Sequence, residues 1–124
     1  MKLKDTLTAL NQQSVEAKNI GEIESVYETK LNDTVKRLVS ISKKSVSYDD
    51  FSLLRSLSLK EILEASADMQ VDFVSLRLLP LFDAGDNDYI VYDLNEKGWC
   101  MFNIADEIKF SKKSSLLDYL HNEG

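Results

Sequence analysis

The chain is poor in the residues from which most small functional sites are built. Its 124 residues include one cysteine, Cys100, one histidine, His121, one proline, Pro80, and four glycines. A single cysteine cannot close an internal disulfide, and with one histidine beside it there is no ligand set for a structural zinc. The glycines are scattered and form neither GxGxxG nor a Walker sequence, so a phosphate-cradling loop is excluded. No run approaches the roughly 20 apolar residues of a membrane span, and the first residues interleave Lys2, Lys4 and Asp5 with Leu3 and Leu7, which is not an export leader. Basic residues are outnumbered, 15 against 21 acidic, with Lys43-Lys44 and Lys112-Lys113 the only lysine doublets. They make no nucleic-acid track. The formal net charge of -6 disfavours phosphate backbones and anionic lipid, so a charged partner should be basic. The expected compartment is the cytoplasm.

What is present fits one compact core: 44% hydrophobic residues in this length predict a single domain over residues 1–124. The first half carries helical periodicity and the second half strand texture, which points to α+β and away from alternating βαβ. Residues 1–19 place Leu3, Leu7 and Leu10 on one face and read as a helix of marginal stability or a mobile arm. Gly21 is expected to interrupt, after which Ile23, Tyr27 and Leu31 recur at helical spacing, with Glu22, Glu24 and Glu28 on the remaining surface. Asn32 and Asp33 offer cap chemistry for a short helix with Val35, Leu38 and Val39 inward, ending near ISKKSVS. SVSYDDFSLLRSLS predicts a short strand and an ordered connection. Ser58 with Glu61 makes a capping box ahead of a helix that buries Leu59, Ile62 and Leu63. From Val71 the runs VDFVSLRLLPLF, DYIVYDL and WCMFNI predict an antiparallel meander. Pro80 cannot donate a ladder bond and is expected at a strand start or edge. Residues 83–88 and 95–98 supply hairpin turns, and Ser114 or Ser115 caps a last helix carrying Leu116, Leu117 and Leu120.

Candidate chemistry is thin. Cys–His or Ser–His–Asp catalysis needs a base near its nucleophile, and the only histidine stands four residues from a terminus, where it reads as solvated. Cys100, between Trp99 and Met101 in a strand, reads as a small buried hydrophobe. Asp83, Asp86, Asn87 and Asp88 could present oxygens to calcium. An EF-hand register fails, however, because its third ligand position falls on Gly85 and its closing acid on Leu94. No catalytic residue, cofactor or metal is therefore expected. What remains is a binding surface: Tyr92 or Trp99, partly exposed beside Asp83, Asp86, Asn87, Asp88 and Asp93, would form a mixed aromatic and acidic patch for a basic protein.

The stretch RLLPLFDAGDNDYIVYDLNEKGWCMFNI, with IGEIESVYETKL before it and SSLLDYL after it, resembles the SUKH superfamily, named in part for fungal regulators of cell-wall synthesis. Leu79-Pro80-Leu81 looks like that superfamily's proline strand, residues 83–88 its hairpin, and Phe110 with residues 114–120 its ending, over about residues 20–120. Leu31-Asn32 replaces the usual Leu-Pro, and SISKKSVSYDD has no Asn-Gly-Gly, which fits a divergent bacterial branch. The resemblance implies a curved sheet with helices against it. It also implies an immunity protein that binds and neutralises a cognate toxin of the nuclease type or, alternatively, an intracellular regulatory or scaffold module. It leaves the oligomeric state open.

Overall fold

Three helices begin where a side chain takes over amides that the first turn leaves unpaired. In the computed structural model, which describes residues 2–9, 17–41, 45–48, 55–116 and 118–121, Asn32 Oδ1 accepts the Val35 N–H at 2.8 Å ahead of α3 (Asp33–Ile41). Ser58 Oγ accepts the Glu61 N–H at 3.2 Å and Glu61 Oε1 accepts the Ser58 N–H at 3.0 Å, the expected capping box of α4 (Leu59–Met69). Asp72 Oδ1 accepts the Ser75 N–H at 3.1 Å ahead of the single turn α5 (Phe73–Leu76). The two helices that precede these are α1 (Leu3–Thr8), which buries Leu3, and α2 (Ala17–Tyr27).

Two expectations about helices need correction. Gly21 does not interrupt a helix but lies inside α2, which starts at Ala17 and ends at Tyr27, where Glu28 turns left-handed at φ 50°. Burial of Ile20, Ile23 and Tyr27 on one face outweighs the glycine's cost of about 1 kcal/mol. Leu31 is buried beyond the helix end, its N–H held by Glu24 Oε2 at 2.8 Å. The run from Val71, read as strand, is helical from Phe73 to Leu76, because the Asp72 cap and the left-handed Arg77 at φ 60° enclose one turn. Leu10, Lys43-Lys44 and residues 49–54 lie outside the described residues, as do the side chains of Leu7, Leu117, Leu120 and His121.

The sheet is a five-stranded antiparallel array in sequence order: β1 (Arg55–Ser56), β2 (Leu78–Gly85), β3 (Asp88–Asp93), β4 (Gly98–Asn103) and β5 (Ile108–Lys113). The fold is thus α+β with a meander. β5, three of whose six residues are lysines, was not foreseen. The last helix, α6 (Asp118–His121), begins later than Ser114 or Ser115, with Leu116 and Tyr119 buried.

Both faces of β2 and β3 are covered, so burial there is nearly continuous and does not alternate. Register places Tyr92 with Trp99 and Ile90 with Phe82 on one face, Val91 with Cys100 on the other. Tyr48 meets Phe82 edge to face at 6.3 Å, and Asn32 Nδ2 donates to Tyr92 Oη at 2.7 Å, covering the first face. Phe73 of α5 meets Phe102 at 5.8 Å on the second. The end of α2 is clamped beside them: Tyr27 Oη donates to the Leu78 carbonyl at 3.2 Å, and Arg77 Nη1 donates to the Tyr27 carbonyl.

Pro80 is third in β2 and buried, not at a strand start. The Leu94 N–H to Arg77 carbonyl bond sets the ladder so that Leu79–Tyr92 exchanges hydrogen bonds and Pro80–Val91 does not. The proline nitrogen therefore faces away from β3, past the end of β1, whose two residues pair only with Phe82 and Asp83. The missing N–H costs no ladder bond.

An added Cβ at Gly21 would meet nothing within 4 Å, and this position has no left-handed backbone to protect. Gly21→Ala should raise the unfolding free energy by about 0.5–1 kcal/mol with an unchanged urea m-value; a decrease would mean that α2 is not helical through this position.

Candidate protein-binding surface

The hairpin predicted over residues 83–88 forms, but more tightly than expected: β2 runs to Gly85, and only Asp86 (φ 54°) and Asn87 (φ 66°) make the turn. Two consecutive left-handed residues define the type I′ hairpin, which Asp and Asn tolerate. Asp83 is held inward on the strand, its Oδ1 accepting the Gly85 N–H at 2.9 Å and its Oδ2 lying 3.4 Å from Arg55 Nη2. Asp88 Oδ1 accepts from Asn103 Nδ2 at 2.9 Å. Asp86 and Asn87 are exposed.

The next two connections share one design. At the end of β3, Asp93 Oδ1 accepts the N–H groups of Asn95 and Glu96, each at 3.0 Å, and Lys97 is left-handed at φ 57°. At the end of β4, Asn103 Oδ1 accepts those of Ala105 at 3.0 Å and Asp106 at 2.9 Å, and Glu107 is left-handed at φ 53°. Leu94 and Ile104, directly after the two turn-making residues, pack against the core.

Three residues expected on the binding patch are in the interior. Tyr92 is 6% exposed and Trp99 5%, in edge-to-face contact at 5.2 Å, so neither is the partly exposed aromatic. Asp93 is 3% exposed. The reason is the cover on both faces of the central strands, which alternation within one strand does not reveal. Burial alone would raise the Asp93 pKa. The Glu96 N–H, the Lys109 ammonium 2.9 Å from Oδ2 and the Asn95 N–H outweigh it and hold the carboxyl below its usual range. The bond to Asp93 in turn raises the Lys109 pKa. Cys100 is buried as expected; burial, then the Asp93 carboxylate, pushes its thiol up to about 11, which makes it a poor nucleophile at neutral pH.

The apolar side chains that do reach solvent near the acidic turn come from the unforeseen strand. Ile108 is 55% exposed and Phe110 39%. The β2–β3 and β4–β5 turns sit at the same end of the sheet, tied by the Ile104 N–H to Asn87 carbonyl bond at 2.9 Å. Asp86, Asn87, Asp106 and Glu107 are therefore exposed around one end, with Asp88 half-buried among them and Ile108 beginning β5 there. The sequence does carry a signal for β5. Asn103 stands five residues before Ile108, as Asp93 stands five before Gly98, and Ile108 and Phe110 alternate with Lys109 and Ser111.

Elsewhere an open groove of about 690 Å³ lies between α2 and α4, lined by Lys18, Gly21, Glu22, Ser25, Val26 and Leu63. Its polar side chains are all exposed on α2, so it shields nothing from water. Among the described residues no three His, Cys, Asp or Glu side chains converge to hold a metal, and no buried side-chain nitrogen or oxygen lacks a partner. No helix among them is long and apolar enough to cross a membrane.

No protein family, no curated protein and no solved structure matches this chain. The surface must be read from its own chemistry.

Asp93→Asn keeps the acceptor for the two turn amides and deletes the charge that Lys109 neutralises. Urea unfolding at pH 7 should show a loss of about 1–2 kcal/mol, against about 3 kcal/mol for Asp93→Ala. Because the folded pKa of Asp93 is depressed, its contribution is present above the ordinary carboxyl pKa of about 3.9 and is lost as pH falls through the folded value. The gap between wild type and Asp93→Asn should therefore narrow as pH falls below about 3.9. A gap that is constant with pH would exclude the charge as its source.

Proposed function

We propose that this chain is a non-catalytic binding protein whose partner is a basic protein, held against the turn end of the sheet. The observation that carries this reading is the juxtaposition of Ile108 and Phe110, exposed on β5, with Asp86, Asp88, Asp106 and Glu107 on the two linked turns. Apolar anchors inside a charged rim are the usual anatomy of a protein interface, and a rim of one sign speeds encounter with the opposite sign. The net charge of -6 extends that field over the whole molecule. Of the residues expected in the patch, Asp86, Asn87 and Asp88 stay in this reading. Asp83 belongs to the Arg55–Glu61 network, and Tyr92, Asp93 and Trp99 shape the surface from beneath.

The resemblance to the SUKH superfamily supports a more specific form of the proposal: a cytoplasmic immunity protein that neutralises a nuclease-type toxin. A nuclease cleft that holds phosphates is basic, so an acidic protein seated in it would also block it. The absence of a catalytic role is part of the same proposal, supported by the protonated, buried Cys100 and by the openness of the α2–α4 groove.

The test is titration of the purified chain against a basic nuclease-type toxin encoded beside its gene, at two salt concentrations. Binding should weaken with salt. Asp86→Lys combined with Asp106→Lys should cost about tenfold or more in Kd and flatten the salt dependence. Phe110→Ala should cost about 1–2 kcal/mol with little change in salt dependence. Tight binding unaffected by either variant would move the interface elsewhere. Capture of a host regulatory protein, with no protection against the toxin, would replace the immunity role with a scaffold role.

A further inference from the structure

β5 is the outer strand of the sheet, and the ladder determines which of its main-chain groups are turned outward. The Ile104 N–H to Asn87 carbonyl bond marks that pair as hydrogen-bonded, so by alternation Met101 and Asn103 turn their amides and carbonyls toward β5, where they oppose Phe110 and Ile108. Lys109, between those two, turns its N–H and C=O away from β4. The same three residues present Ile108 and Phe110 on one face, beside half-buried Met101, while the Lys109 ammonium lies on the other, bonded to Asp93 at 2.9 Å. The window closes at both ends. Glu107 and Ser111 are left-handed, at φ 53° and 52°, and the Tyr119 hydroxyl donates to the Ser111 carbonyl at 2.7 Å. A strand that pairs here has one register available, centred on Lys109.

Charge runs along the strand. Asp106 and Glu107 stand at one end, Lys112 and Lys113 at the other. An antiparallel strand of the same sequence, centred on Lys109, sets Ile108 opposite the second copy's Phe110 and turns the Asp106 end toward the end that carries the second copy's Lys112, each contact made twice; Lys112 is also held by Glu96 of its own chain at 3.2 Å. The central lysines face each other already neutralised by their own Asp93. In a molecule of net charge -6, the three lysines of this segment stand against Asp106 and Glu107 on it and Asp93 and Glu96 beside it, so two copies meet here with less repulsion than at its other acidic surfaces.

We propose that the chain forms a two-fold symmetric dimer by pairing β5 with β5, joining two five-stranded sheets through Lys109 main-chain bonds and an apolar cluster of two Ile108 and two Phe110 side chains. A three-residue window buries less than the roughly 1,200 Å² of a stable standard-size complex, so association depends on concentration. The dimer does not rest on the immunity reading. It covers Ile108 and Phe110, and a basic partner and a second copy therefore exclude each other.

Sedimentation equilibrium of the full chain between about 5 and about 500 µM should show the mass rising from 14.1 kDa toward twice that value. Over the same range, exchange of the Lys109 amide should slow several-fold. Phe110→Asp should hold the mass at that of one chain. Asp106→Lys should weaken association about tenfold, and adding Lys112→Asp to it should restore association. If Phe110→Asp does not fold, the wild-type exchange and the charge swap carry the test without it. A constant single-chain mass overturns the proposal, as does association that survives the charge reversal and leaves Lys109 exchange unchanged.

Discussion

The arrangement of the outer half of the sheet depends on a single buried carboxylate. Asp93 ends β3, shapes the following turn by accepting two of its amides, and reaches across β4 to the Lys109 ammonium on β5. A carboxylate that is 3% exposed is tolerated only when each oxygen is satisfied, and here the turn satisfies one and the outer strand the other. The bond therefore fixes the shape of one loop and the position of a strand that is otherwise held only from one side. It also neutralises a lysine that would otherwise stand charged on the sheet edge.

Cover on both faces of β2 and β3 decides where the molecule can meet anything else. With Tyr48 and Asn32 on one side and Phe73 on the other, the central strands offer little side-chain surface away from the Asp86-Asn87 turn. Exposed side-chain surface is displaced to the sheet's margin. β1 is two residues long and its outer side is already paired, with Ser47 bridging Arg55 and the Ser56 N–H donating to the Val46 carbonyl at 2.8 Å. β5 and the two turns beside it remain.

Much of this architecture is written in short-range chemistry. The capping box at Ser58, the Asn32 cap, the Asp86-Asn87 turn and the burial of Cys100 each rest on residues that act within a few positions of one another, and each was legible. The misreadings were of two kinds. Gly21 and the Val71–Leu76 run were read by propensity, which tertiary burial and the Asp72 cap overrode. Tyr92 and Trp99 were read by alternation, which says which side chains share a face but not whether helices cover that face. β5 went unseen because three lysines masked its period, although Asn103 repeats at the head of its loop what Asp93 does one strand earlier.

The order of strands in the sheet is the order of strands in the chain. Each pairing from β2 to β5 closes only a short loop, so the meander can zip hairpin by hairpin at little entropic cost, as topologies of low contact order do. The helical layer joins over longer spans: Tyr27 meets Leu78 across 51 residues and Asn32 meets Tyr92 across 60. On this ordering, the outer edge of the sheet is assembled from neighbours in sequence, before the distant contacts that seal the core above it.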